Sequence, residues 1–306
     1  MPTDLQRRGD FSQTFDQSRN LIRIFDPFST RRDPANPSKF IRDAYSNNAI
    51  PASRFDTVSK NMLALVPGPN RGGDPVTGAL NYAKTLRRDS PMNNVSVRID
   101  ADVLPRHRLF GRASTEQTIS HNDYLIDIGG PGLDDRIQSS IAAGDTFTIS
   151  PSTILDVSSG FTRYRRAPAQ PDGDMAKLGF PQAYIKLVQQ QKVPLLSNSD
   201  MTGFGASEGN RWDNNYTWSL QTNMRHLRNR HGLKWGFQVQ RPGQMGISGG
   251  RPAGTFAFDR AFTQGPDPSS RGTAIGHGIA SYLLGTPASG YVSWNASNAS
   301  IATYYG

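Results

Sequence analysis

Residues 214–240 read NNYTWSLQTNMRHLRNRHGLKWGFQVQ, and this stretch decides the fold. Tyr216, Trp218, Leu220, Thr222 and Met224 alternate with Thr217, Ser219, Gln221, Asn223 and Arg225. Successive side chains of a strand point to opposite faces, so one face of this segment is apolar and the other polar. After the tight connection Arg228-Asn229-Arg230-His231 the pattern resumes, with Leu233, Trp235, Phe237 and Val239 against Lys234, Gly236, Gln238 and Gln240. Two such runs around so short a turn predict an antiparallel hairpin whose apolar faces align.

The period of two extends upstream. Residues 94–103 set Val95, Val97, Ile99, Ala101 and Val103 against Ser96, Arg98, Asp100 and Asp102. Residues 107–115 alternate more weakly, through Leu109, Gly111 and Ala113. Residues 137–149 carry Ile141, Ala143, Phe147 and Ile149 on one side, interrupted by Asp145; the sequence gives no account of that residue, which a bulge or a water-lined position would accommodate. Residues 153–163 repeat the pattern with Leu155, Val157 and Phe161, and a last pair is partly visible near 290–295 and 301–305. Brief turns at Pro105, Pro151 and Asn229 are separated by connections of roughly 20 to 50 residues. Alternating short turns and long loops, joined to two-faced strands of roughly ten residues, is the pattern of an outer-membrane barrel. A soluble β-sandwich explains the residue alternation equally well but gives less reason for the loop asymmetry.

The first 90 residues lack strand alternation and are rich in Pro, Asn, Asp and Ser, so they predict a long irregular segment with a short helix. Asp56 caps that helix, Phe55 staples it, Val58, Met62 and Leu65 share a face, and Val66 before Pro67 ends it. A second short helix is expected over residues 276–284, closed by Gly285 and Pro287. Both are expected to dock on the sheet rather than to build a core.

Composition agrees with a turn-rich β protein: of 306 residues, 36% are hydrophobic, with 30 Gly and 21 Pro. Mean hydropathy is −0.55 and no run of 18 apolar residues occurs, so a membrane reading must be a β reading. The opening MPTDLQRRGDFSQ has no apolar core of a signal peptide, which places any export signal upstream. The absence of cysteine excludes disulfides, thiol nucleophiles and thiolate zinc sites. The net charge of +9 comes from scattered residues such as Arg31-Arg32, Arg87-Arg88 and Arg163, Arg165 and Arg166, a distribution that suits loops above anionic lipopolysaccharide better than nucleic acid.

MPTDLQRRGDFSQ (1–13), IFDPFSTRRDPANPSKFIRD (24–43), NAIPASRFD (48–56), HRLFGRAS (107–114), HGLKWGF (231–237), GTFAFDRAFTQGPDP (254–268) and ASYLLGTPASG (280–290) follow one another along the chain. In these phrases, taken in that order, the chain resembles the Oar-like family of TonB-dependent transporters. It implies a signal, a TonB box, a plug and a barrel of roughly 22 strands, against about eight legible here, so the chain reads as a fragment of a larger barrel.

The expected fold is therefore all-β: a partial transmembrane antiparallel barrel with long extracellular loops and one or two short helices. Residues 1–92 form an extracellular-loop region and 93–306 the strands, turns and outer loops. Val95, Val97, Ile99, Trp218, Leu220, Trp235 and Phe237 are expected to face lipid; Arg98, Asp100, Gln221, Asn223, Lys234 and Gln238 are expected to face the lumen. The function implied is outer-membrane uptake or export of a small molecule, glycan or peptide, powered by TonB through a plug outside this chain, with no cofactor and no catalysis. The alternative is a soluble or surface-attached β-rich adhesin or carbohydrate-binding module.

Other constellations favour ordinary roles. His226 and His231 flank a predicted turn without a carboxylate beside them, and His107, His121 and His277 are isolated, so no metal site is expected. Asp123, Asp127, Asp134 and Asp135 crowd one loop, but their spacing matches no EF-hand. The run at 129–132 lacks the lysine and following helix of a phosphate loop.

Overall fold

The computed structural model describes residues 1–128, 130, 132–206, 209–269, 272 and 274–306. Six long strands follow one another: β1 (Met92–Leu104), β2 (His107–Asn122), β3 (Gly132–Ser150), β4 (Thr153–Ala169), β5 (Asp213–Arg228) and β6 (His231–Ser248). Each pairs antiparallel with the next. Ala296–Ile301 and Tyr304–Tyr305 continue the sheet beyond β6, and Arg88–Asp89 extends its other edge along β2. The sheet is open, with β1 at one margin and no second sheet laid on its long strands among the described residues.

The hairpin read from residues 214–240 is present in the expected register, with Leu220 opposite Val239, Thr222 opposite Phe237 and Met224 opposite Trp235. Other strands are longer than their periodicity suggests. β2 runs to Asn122 and β3 begins at Gly132, so their connection is shorter than the roughly 20 residues expected. Segments such as Thr115–Asn122 are polar apart from Ile119, which removes the alternation signal while the backbone ladder continues.

Two-residue turns, Pro105-Arg106, Pro151-Ser152 and Asn229-Arg230, close β1–β2, β3–β4 and β5–β6 at one end of the sheet. Asn229 adopts φ 54°, a left-handed conformation that Asn tolerates in a hairpin. The three turns are staggered regularly. The closing pair Leu104–His107 lies, through Phe147 and Leu155, in the row of Met224; Ser150–Thr153 lies in the row of His226; and the third pair is Arg228–His231 itself. The step from 224 to 226 to 228 is one residue per strand. With about 3.4 Å per residue and about 4.8 Å between strands, turns aligned on one plane tilt the strands by about 35°, within the range of closed barrels.

At the opposite end the long segments converge on a hydrophobic core containing Phe11, Ile24, Met62, Met175, Ile279 and Leu283. The β2–β3 connection contributes Ile126 and Ile128. A four-stranded sheet of Ser289–Ser293, Arg251–Phe258, Leu195–Asn198 and Met201–Phe204 lies in this region. Among the described residues four α-helices accompany it: α1 (Asp4–Arg7), α2 (Thr57–Leu63), α3 (Gln182–Leu187) and α4 (Gly278–Leu283). Asp56 caps α2 through the Ser59 N–H at 2.8 Å, and α2 ends at Leu63, ahead of the expected Val66. All six residues of α4 are buried. That differs from the expected docking role: α4 sits within the core, because Tyr282 reaches back to donate a hydrogen bond to the Ser59 carbonyl at 2.9 Å. Gly285 ends α4 with φ +66°, and a Cβ there would meet Asp56 Cβ at 2.6 Å, so one glycine serves both the turn and the close approach.

Candidate functional site

Two features of the fold can bear function, the two-faced wall of long strands and a cavity in the assembly at its long-loop end. Register assigns each wall residue to a face. One face carries Val95, Val97 and Ile99 of β1, Ala113 of β2, Ile141 and Phe147 of β3, Val157 and Phe161 of β4, Trp218 and Leu220 of β5, and Trp235 and Phe237 of β6. All seven residues expected to face lipid share it, while Arg98, Asp100, Gln221, Asn223, Lys234 and Gln238 occupy the other face. Gln221 and Gln238 are direct partners across β5 and β6.

The apolar face is a band of constant height. Ten residues above the turns, allowing for the bulges at Asp102/Leu104 and Thr148/Ser150, the residues on this face are Asn93, Gln117, Ser139, Arg163, Trp218 and Arg241. Below them the rows are mainly apolar on every strand, and at a tilt of about 35° those rows span about 22 Å along the sheet normal to the rim. An outer-membrane barrel presents an apolar band of about 25 Å. Ile99 is 68% exposed and Trp235 51%, so nothing among the described residues covers the band there. A sandwich would bury such a face under a second sheet.

The opposite face is polar and internally bonded. Arg98 pairs along its own strand with Asp100 (2.7 Å) and lies over the Phe110 ring (4.7 Å). Phe110 in turn lies across Gly144, where a Cβ would meet its ring at 2.5 Å. Ser114 and Ser140 hydroxyls are 2.7 Å apart, and Thr146 donates to Asp156 at 2.8 Å. Side chains of this kind suit a hydrated lumen.

The cavity, about 620 Å³, is lined by residues including Gln6, Thr14, Asp16, Asp200, Arg260 and His277. Asp200 accepts hydrogen bonds from the Gly278 N–H (2.7 Å) and the Ser199 hydroxyl (2.8 Å) and pairs with Arg260. Burial raises its carboxyl, but the Arg260 hydrogen bonds and the neighbouring His277 and Gly278 outweigh that and hold it at about 2. Burial pushes His277 down to about 4, against the opposing pull of Asp200. The site is a desolvated polar cluster with a fixed ion pair, able to orient hydroxyl, amide or charged groups of a ligand.

Sequence reasoning missed Asp200 and Arg260, and passed over His277 as isolated. Asp200 stands 60 residues before Arg260 and 77 before His277, with no local spacing to connect them. The other constellations are engaged in local bonds. His226 meets the Thr153 hydroxyl at 2.9 Å and pairs across the hairpin with Leu233, while His231 pairs with Arg228. Asp134 is bound by Arg136 and Arg166, Asp127 accepts the Gly130 N–H, Asp123 accepts the Arg87 N–H, and Asp135 accepts from Gln117. Gly129 and Pro131 of the glycine-rich run lie outside the described residues.

The family model described as an outer membrane beta barrel domain matches residues 1–306. No curated protein and no solved structure is significantly similar to the chain.

Proposed function

Because the chain belongs to the outer membrane beta barrel domain family and lies in the bacterial outer membrane, we propose that it forms part of the wall and the outer lid of a TonB-dependent transporter of the Oar-like kind. The observation that carries this reading is the constant-height apolar band on one face of a sheet whose other face is polar. In this arrangement Val95, Val97, Ile99, Trp218, Leu220, Trp235 and Phe237 face lipid, and Arg98, Asp100, Gln221, Asn223, Lys234 and Gln238 face the lumen. The free backbone edge of β1 cannot stand unpaired in hydrocarbon, so further strands continue the sheet into a larger closed barrel. The long-loop assembly stands outside, and its polar cavity is the entry site for a small molecule, glycan or peptide. Energy comes from TonB through a plug, and the chain performs no chemistry on what it passes.

Energised uptake tests the transport part. Cells making the protein are given pooled peptides, oligosaccharides and ferric siderophores, and depletion from the medium is followed by mass spectrometry with and without an uncoupler. Depletion that stops with the uncoupler is the expected result. Binding without energy-dependent depletion would replace transporter by surface receptor, the reading that the cavity alone supports.

A further inference from the structure

We propose that the long-loop assembly carries a second ligand site, separate from the polar cavity, that takes a benzene-sized ring bearing a protonated amine. An apolar cavity of about 150 Å³ lies between α2, α4 and the strand Arg251–Phe258, and it shares no lining residue with the polar one. Its apolar lining includes Met62, Phe180, Leu196, Phe256, Phe258 and Tyr282, all buried except Phe256, which is half-buried. Apolar cavities of about this volume stay dry and admit benzene, because water finds too few polar partners inside.

The rings around the space are held in place. Tyr282 donates through its hydroxyl to the Ser59 carbonyl at 2.9 Å and meets Phe258 edge-on at 5.2 Å and 86°. Phe256 packs against Phe180, at 6.3 Å, and Tyr184, at 5.6 Å. Tyr184 is itself tied to the Ala253 carbonyl at 3.0 Å. Turning one of these rings inward to close the cavity would break a contact it already makes. The lining therefore keeps an open face, against which a guest ring recovers dispersion contacts that the void forfeits.

The rim supplies the charge. Asp56 is half-buried there beside Gly285, where a Cβ would come within 3.2 Å of Asp56 Oδ1. The other oxygen, Oδ2, accepts the Ser59 N–H at 2.8 Å as the cap of α2. Among the described residues no donor reaches Oδ1 and no basic side chain pairs with Asp56. By contrast Asp26, Asp134 and Asp200 each hold an arginine. A carboxylate with a spare oxygen at the mouth of a dry apolar pocket favours a cationic donor. An ammonium on a short aliphatic arm of the ring meets that requirement, and an acid on the same arm is repelled.

The probe is phenethylamine fluorinated on its ring, added to the full chain in zwitterionic nanodiscs and followed by fluorine NMR, with empty nanodiscs subtracted. Ring-fluorinated phenethyl alcohol and phenylacetate are compared with it. The wild type is expected to bind the amine about tenfold more tightly than the alcohol, and the acid not at all. Asp56→Asn keeps the cap, since Asn serves there as well as Asp, and is expected to bind amine and alcohol alike. Val58→Phe, which fills the cavity from α2, is expected to abolish binding of both. Should Val58→Phe fold poorly, Asp56→Asn alone carries the test. The proposal is overturned by the absence of saturable amine binding to the wild type, by equal binding to Val58→Phe, or by a preference for the amine that survives Asp56→Asn. Energised uptake plays no part in this readout, so the site stands or falls separately from the transport reading.

Discussion

His107 Nδ1 lies 2.7 Å from Asp145 Oδ2, and the two residues share the otherwise apolar face of the wall. His107 opens β2 at the short-turn rim and stacks on Phe147, its partner on β3, at 4.3 Å and 8°. Asp145 sits further up β3, opposite Leu109, and its carboxylate turns down toward the rim to meet the imidazole. The position that interrupts the alternation of β3 is therefore resolved by a cross-strand polar partner. The bulge on β3 falls elsewhere, between Thr148 and Ser150 in its ladder with β4.

Removing one member of that pair strands the other. His107→Leu is expected to destabilise the inserted protein by about 1 to 3 kcal/mol, the cost of an unsatisfied polar group in an apolar setting. The double variant His107→Leu/Asp145→Leu is expected to recover most of the loss. Urea titration from lipid bilayers measures both. A single variant as stable as the wild type would mean that Asp145 is served by water instead.

Depth along the band sets the cost of charge. Thr222 lies on the apolar face near mid-height, and Gln221 beside it points to the polar face. Thr222→Arg is expected to cost about 2 to 4 kcal/mol, and Gln221→Arg little. Leu220, one row nearer the outer rim, should tolerate Arg better than its hydrophobicity suggests. Folding equilibria in bilayers give the ranking, and equal penalties at Thr222 and Gln221 would remove the distinction between the faces.

Tyr282 joins the first segment of the chain to the last, since its buried hydroxyl donates to the Ser59 carbonyl at 2.9 Å. Tyr282→Phe keeps the ring and loses the bond, which should cost about 1 to 3 kcal/mol locally. Hydrogen exchange should quicken in α2 and α4 together while the six long strands are unaffected. Exchange that changes in α4 alone would show that the two helices open independently.

The long-loop assembly should weaken in acid by two routes. Burial holds His277 near 4 in the folded chain against an ordinary 6.5, so the unfolded segment takes up a proton first as pH falls. Stability is therefore full above about pH 6.5 and declines toward pH 4, by on the order of 3 kcal/mol. Asp200, held at about 2 against an ordinary 3.8, contributes stability above that ordinary value which is lost as pH falls toward 2. His277→Phe should flatten the upper part of the profile and leave the lower part. Limited proteolysis of the loops across pH 7 to 4 checks this, and an unchanged upper slope in the variant would assign it to another group.

What the sequence discloses here is local periodicity. The β5–β6 hairpin, its register and the polarity of its faces follow from residues 214–240 because strand geometry ties each side chain to a face. The Asp56 cap and Gly285 stop were legible for the same local reason. The outer ends of β2 and β3 were hidden because polar residues outnumber the isolated Ile119, Leu133 and Ile137 there, too few to show a period. The core of the long-loop assembly was hidden because its members, such as Phe11, Met62, Met175 and Leu283, come from segments with no shared period. Asp200, Arg260 and His277 meet only through that tertiary packing, so no motif announces their cavity.

In the proposed orientation one face of the wall meets hydrocarbon over a band of fixed height. The chain has no cysteine, so single cysteines can be placed from Tyr216 to His226 and spin-labelled in bilayers without background. Relaxation by dissolved oxygen and by a water-borne nickel chelate then reports lipid and water access at each position. The expected profile has a period of two: Trp218, Leu220, Thr222 and Met224 are open to oxygen and closed to nickel, Ser219, Gln221 and Asn223 are the reverse, and oxygen access peaks near Thr222. A profile in which the even positions are closed to both reagents would mean that protein, not lipid, covers this face, and would contradict the membrane wall outright.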